Sequence, residues 1–197
     1  IVQMFNKMDY VIGNPPYNRN LAAKEEVDSE LWDPSGYTTK LAYCFFVILA
    51  NKLLRKGGTL KYVMPCSFTS NENTDLFRQY LQENFNIKKL KVLHPNAFED
   101  IMIRTCIFHA TKEEQNGEFV LERNWNEANY VTTTYYNEFG EIPLFIGEIS
   151  KSIYTKVMNV CKNRATVYKG WNGMDSYAKL VSKNPKEHEY KYVHGVD

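Results

Sequence analysis

Lys7-Met8-Asp9-Tyr10-Val11-Ile12-Gly13-Asn14-Pro15-Pro16-Tyr17 is the stretch on which the reading of this chain turns. Residues 8–13 alternate weakly and end in Gly-Asn-Pro-Pro, which suits a buried strand delivering a loop to one edge of a sheet. The Asn14 amide oxygen and the Pro15 carbonyl are two acceptors, and consecutive prolines fix φ at about −65°, so both acceptors are held in place in advance. Tyr17 supplies a flat face for stacking. Together these groups describe a pocket for a flat base that carries an amino group. An exocyclic amine bonded to two acceptors becomes more tetrahedral, which localises its lone pair for attack on an electrophilic methyl group. Asn14, Pro15, Pro16 and Tyr17 are therefore the candidate catalytic residues. For four residues alone, the plainer alternative is a tight turn in which the tyrosine only packs.

Working outward, residues 18–37 are polar, with Pro34 and Gly36, and a loop of that length beside a catalytic turn is usually functional or mobile. Leu41, Phe45, Ile48, Leu49 and Leu53 then recur at helical spacing, with Gly57 placed to stop the helix. Residues 59–64 form a short apolar strand ended by Pro65. Leu76, Phe77, Tyr80, Leu81 and Phe85 make one face of a second helix, for which Ser70 or Asn71 is the expected cap. Residues 87–93 and 103–110 read as strands, the second apolar on both faces as in a central strand. This alternation predicts an α/β fold, the C-terminal half of a doubly wound, Rossmann-like domain with the motif at a carboxyl strand end, where such sheets bind ligands. Past residue 116, alternating runs at 119–121 and 130–133 suggest a small β excursion, and Ile149, Ile153, Val157 and Val160 a linker helix, so a mixed α+β extension follows. The expected divisions are 1–115, 116–165 and 166–197.

The 197 residues carry a net charge of +1, which neither demands nor excludes a nucleic-acid partner. Its distribution says more. Residues 1–112 hold 14 basic against 11 acidic side chains, 113–145 one against seven, and 146–197 nine against five. The acidic stretch reads as a solvated hairpin. Cys44, Cys66 and Cys106 lie in apolar runs and Cys161 stands apart, as free thiols of a reducing compartment would. No zinc spacing is present and no metal is expected. The longest apolar run, 41–54, is broken by Asn51 and Lys52, so no membrane partner is expected and a cytoplasmic location fits.

Lys7 through Tyr17 resembles the fourth motif of S-adenosylmethionine-dependent amino-methyltransferases, and the resemblance continues for about 100 residues. Phe45-Phe46, the run from Leu53 through Gly57-Gly58 to Met64-Pro65-Cys66-Ser67-Phe68, Phe77-Arg78-Gln79-Tyr80-Leu81, and Phe98 followed by Arg104-Thr105-Cys106-Ile107-Phe108 occur in the order found in N6-adenine DNA methyltransferases of restriction-modification systems. The large type is the nearest match, with a target-recognition domain C-terminal to the catalytic one. The resemblance implies S-adenosylmethionine as cofactor, double-stranded DNA as partner, a prokaryotic source and a fused or associated restriction nuclease. It implies that Asn14 and Pro15 bind the adenine amino group, that Tyr17 stacks on the base, and that Asn14 borders the donor pocket. A second aromatic near the closing strand should sandwich the base; Phe108 is the candidate by position, with Phe98 and His109 as weaker contenders. No glycine-rich donor loop occurs, so the main donor site is expected upstream of Ile1, and 166–197 is expected to open the recognition domain.

Two rivals remain on the sequence: an amino-methyltransferase acting on RNA guanine or a protein glutamine, and a non-catalytic DNA-binding piece of a restriction-modification protein. Glu189-Tyr190-Lys191 fits a minimal nuclease motif, but three residues in a Lys/Glu-rich stretch arise easily by chance. His94, His109, His188 and His194 have no spacing suited to a metal or a nucleophilic triad.

Overall fold

A computed structural model of the chain describes residues 2–17, 41–94, 97–98, 103–125 and 128–161. The polar loop 18–37, the Glu189-x-Lys191 run and the expected recognition segment 166–197 lie outside the described residues. The chain divides into two compact units, Ile1–Thr155 and Lys156–Asp197.

The first unit is built on one mixed sheet. In chain order come β1 (Met8–Gly13), α1 (Ala42–Leu53), β2 (Leu54–Pro65), α2 (Asp75–Asn84), β3 (Asn86–Val92), β4 (Thr105–Thr111), β5 (Phe119–Trp125) and β6 (Ala128–Thr134), and then α3 (Gly147–Cys161), which starts in the first unit and ends in the second. The sheet order is β1-β2-β4-β3-β5-β6. β1 and β2 run parallel, as do β3 and β5, while β4 is antiparallel to both β2 and β3 and β6 to β5. The carboxyl ends of β1, β2, β3 and β5 therefore share one rim with the amino ends of β4 and β6. β4 is central, as its two apolar faces suggested.

The runs at 119–121 and 130–133 belong to β5 and β6, and they extend the main sheet through the β3–β5 pairing instead of making a separate excursion. The sheet thus crosses the division expected at residue 115. Nor is Gly57 a helix stop. α1 ends at Leu53, and Gly57 adopts φ 74° inside β2, where Met8 pairs with Leu54 but Tyr10 already pairs with Thr59. The extra β2 residues form a bulge. Gly58 closes it: a Cβ there would stand 2.9 Å from the Arg55 carbonyl oxygen and 3.0 Å from that of Met8. Glycine is therefore required by close backbone approach. The helix cap also differs in detail. Asn71 Oδ1 accepts from the Asn73 N–H (2.9 Å) to cap a short 3-10 turn, and α2 starts behind it at Asp75.

α1 and α2 cover the same sheet face. Tyr43 and Phe77 meet edge-on at 5.9 Å, and Asn51 Nδ2 donates to Tyr80 Oη (2.7 Å) and Asn84 Oδ1 (3.1 Å). Beneath them lie Leu60, Tyr62 and Met64 of β2, Cys106, Phe108 and Ala110 of β4, and Ile87, Leu90 and Val92 of β3, all buried. The opposite face carries Lys61, Lys89, Lys91 and Glu122, with Tyr10 and Ile12 exposed on β1. Arg78, 2% exposed, donates to the carbonyls of Phe68 (3.0 Å), Asn71 (2.8 Å) and Gly140 (2.8 Å), fastening α2 to the segment after β2 and to the loop after β6.

Glu122 gives the fold a pH dependence. It is 8% exposed and pairs with Lys89 and, at 2.7 Å, with Lys91 across the β3–β5 register. Those hydrogen bonds hold its carboxyl down to about 2 from an ordinary 4.5. A depressed carboxylate stabilises the fold above its unfolded value and loses that contribution as pH falls through the folded value. The thermal midpoint should therefore drop between about pH 4.5 and pH 2, and Glu122→Gln should flatten that drop in a melting series.

Candidate active site

Asn14-Pro15-Pro16-Tyr17 leaves the carboxyl end of β1 at the shared rim. Gly13 sets its height. A Cβ on Gly13 would stand 3.3 Å from Tyr62 Cε1, so the strand end lies directly on the Tyr62 ring, which is 7% exposed and whose hydroxyl burial pushes up to about 12. Pro15 is buried, Asn14 and Pro16 are exposed, and Tyr17 is half-buried. A buried proline fixes the backbone, while the amide ahead of it and the ring behind it stay accessible. The Tyr17 hydroxyl donates to Asn14 Oδ1. Partial burial, and secondarily the neighbouring Cys106, raise the Tyr17 phenol, so it remains a neutral donor at physiological pH.

Other candidates fall elsewhere. Asp9 sits near the amino end of β1 and pairs with Arg55 at 2.6 Å on the surface, an interaction worth about 1 kcal/mol at most. His109, paired with Lys61, points to the face away from α1 and α2. Burial and then Lys61, Lys88 and Lys89 lower its pKa, which favours a neutral imidazole.

Phe108 is corrected by the structure. It pairs with Tyr62 and Leu90 in mid-sheet, is 0% exposed, and meets Phe68 at 6.0 Å and Phe85 at 6.5 Å edge-on. Neither ring face is open to a base, because the alternation of β4 turns Phe108 into the core between α1, α2 and the sheet. Phe108→Ala should cost about 3–5 kcal/mol of stability in denaturant unfolding. Phe108→Leu should keep any activity, as a core residue would. Phe98 is half-buried beyond β3 at the rim, next to a turn in which the Ala97 N–H donates to the His94 carbonyl (2.9 Å).

The rim continues past the motif on the helix side. Cys66 follows β2, and its N–H donates to the Arg104 carbonyl at 2.8 Å. Met64, Cys106, Val92 and Arg123 lie in one register row across β2, β4, β3 and β5. Cys66 and Cys106 are buried free thiols side by side; Cys66 and burial push the Cys106 thiol up. Arg123 is 7% exposed, and its Nη1 donates to the Leu144 carbonyl at 2.8 Å. Neither arginine drew attention as a site residue in the sequence. The available signal was their position at the start of the central strand and the end of β5.

Asn14 is exposed beside half-buried Tyr17 at this end of the sheet. Among the described residues, no glycine turn joins a parallel strand to the helix that follows. No group of three His, Cys, Asp or Glu suited to a metal occurs among them, and no described helix is long and apolar enough to cross a membrane.

Residues 2–98 match the family model described as Eco57I restriction-modification methylase. The chain is 30% identical over 150 residues to the type II methyltransferase M.PstI of Providencia stuartii, covering 74% of this chain and 28% of that protein. It is 29% identical over 112 residues to the type II methyltransferase M.HincII of Haemophilus influenzae, covering 53% and 22%. The chain therefore spans about a quarter of the length of these relatives. Among solved structures, it is similar to the type I restriction-modification system methyltransferase subunit from Streptococcus thermophilus (TM-score 0.50, 19% identity, 83% of this chain and 34% of that one). It is also similar to a chain of a type I R-M system assembly (TM-score 0.51, 13% identity, 98% and 41%). At these identities the structures speak to the fold alone, and that fold is a Rossmann-like methyltransferase fold.

Proposed function

Starting from an Eco57I restriction-modification methylase domain over residues 2–98, we propose that the whole protein is a site-specific DNA methyltransferase that modifies adenine at N6. The observation that carries this reading is the turn after β1, where Pro15 is buried, Asn14 is exposed and the Asn14 amide oxygen accepts from the Tyr17 hydroxyl. The adenine N6 cannot reach a rim pocket from inside a duplex, so the base is extruded, at an unstacking cost of a few kcal/mol. Asn14 and Pro15 accept its two amino hydrogens and Tyr17 covers one face. Phe98 takes the role expected of Phe108 on the other face, since it stands at the rim and Phe108 does not. S-adenosylmethionine supplies the electrophilic methyl group, with Asn14 bordering it. The two acceptors bind a neutral amine that gains positive charge as it reacts, so their attraction grows toward the transition state. The partner is double-stranded DNA, with a fused or associated nuclease as in restriction-modification systems, and the location is the prokaryotic cytoplasm.

The test is transfer of labelled methyl from S-adenosylmethionine to duplex DNA by the full-length protein, followed by nucleoside analysis. N6-methyladenine supports the reading. Label in N4-methylcytosine, in RNA guanine or in protein glutamine overturns it, as does complete absence of transfer.

A further inference from the structure

Gly13 and Tyr62 face one another in the β1–β2 register, as the last pair of these two parallel strands before the motif. Their positions belong to the sheet face under α1 and α2. The ring of Tyr62 leans into the space that a side chain on Gly13 would take: a Cβ there would stand 3.3 Å from Cε1 and 3.7 Å from Cδ1. Carbon atoms pack at about 3.5–4.0 Å, so a side chain at residue 13 must displace either the ring or the strand end. The ring is the one held fast. It is 7% exposed, it pairs with Phe108 of β4, and Phe108 and the flanking Leu60 and Met64 are each 0% exposed, so a close-packed core surrounds it. Tyr62 Oη also donates to the Phe46 carbonyl of α1 at 3.5 Å, a length at which the bond adds little and the packing of the ring decides. Gly13, by contrast, ends an outer strand of the described sheet and is joined directly to Asn14. The strand end is therefore the side that yields.

We infer that Tyr62 is a positioning residue for methyl transfer: its ring is the floor on which the end of β1 rests, and it sets where the Asn14 and Pro15 acceptors stand relative to the reacting amine. This rests on the function proposed above and adds what holds the acceptors at their height. An aromatic ring laid over a cross-strand glycine also shields the glycine backbone, which stiffens the strand end that carries the turn. Buried beneath that strand end, Tyr62 acts through Gly13 and not on substrate. Acceptors must hold their geometry to about 0.5 Å, and a misplacement of about 1 Å costs on the order of 10²-fold in rate. The overlap that a side chain on Gly13 creates is about 0.2–0.7 Å, the difference between 3.3 Å and the carbon packing range, which is enough for a loss of about 10-fold.

The test is steady-state methylation of duplex DNA, beside a melting curve, by full-length wild type, Gly13→Ala, Tyr62→Leu, the double variant and Tyr62→Phe. Gly13→Ala should lower kcat by about 10-fold and leave KM for duplex within about 2-fold, because the position of the acceptors matters most at the transition state. Tyr62→Leu removes the outer part of the ring and should cost a similar factor by letting the strand end sink. In the double variant the new methyl fills the space the ring left, so kcat should return to within about 3-fold of wild type, against about 100-fold for independent losses. Tyr62→Phe keeps the ring and should keep kcat. If Tyr62→Leu does not fold, Gly13→Ala and Tyr62→Phe decide alone. Wild-type kcat in Gly13→Ala, a double variant carrying the product of the two single losses, or a loss in Tyr62→Phe equal to that in Tyr62→Leu overturns the inference. So does a kcat that falls only in step with the melting midpoint, the mark of a purely structural role. Where wild type methylates adenine in any of those cases, only this inference falls; a wild type that does not methylate adenine takes the proposed function down with it.

Discussion

Asn14→Ala should lower methyl transfer by about 10²–10³ in kcat, the usual cost of removing one preorganised polar group from a reacting centre. Pro15 and Pro16 fix the chain beyond Asn14, and Pro15 is buried, so the Pro15 carbonyl survives the substitution as a single acceptor. One acceptor cannot hold both amino hydrogens. The amine then keeps its planar, delocalised form, and the barrier rises. Because Asn14 is exposed, its loss should move stability by no more than about 0.5 kcal/mol. Steady-state kinetics beside a melting curve check this. A wild-type kcat, or a kcat lost only together with the fold, would remove Asn14 from the chemistry.

Tyr17→Ala should weaken productive DNA binding by about 10- to 100-fold, from the roughly 1–3 kcal/mol that stacking one base on an aromatic ring supplies. Tyr17→Phe separates the ring from its hydroxyl. In the structure that hydroxyl donates to Asn14 Oδ1, the same oxygen that the amino group must reach. An incoming base therefore competes with Tyr17 for Asn14, and Phe removes the competitor while keeping the stacking face. Tyr17→Phe should bind and turn over at least as well as wild type. Equal losses in Phe and Ala variants would mean that the hydroxyl, not the ring, does the work.

The motif, the strand before it, the two helices and the central strand were legible because their signals are local. Proline geometry, 3.6-residue spacing at 41–53 and 76–85, and doubled apolar faces at 105–111 each act within a dozen residues. What escaped depended on partners far away in sequence. Gly57 and Gly58 look like a helix stop until β1 pairs alongside and turns them into a bulge. The acidic stretch looks like a solvated hairpin until Glu122, 8% exposed, meets Lys89 and Lys91 of β3. Phe108 and Phe98 are ten residues apart in sequence, one in mid-sheet within the core and the other half-buried beyond β3. No spacing rule tells which ring faces the core; the register of β4 between β2 and β3 does.

The most direct measurement is a cycle between the protein and its substrate. Wild type and Asn14→Ala are each measured with duplexes carrying adenine, or purine without the 6-amino group, at the target position. Easier extrusion of the weaker pair affects both proteins alike and cancels in the cycle. If Asn14 grips the amino group, the coupling should be about 1–3 kcal/mol, with wild type losing more than Asn14→Ala when the amine is removed. A coupling of zero, with both proteins responding equally to the missing amine, would contradict the account.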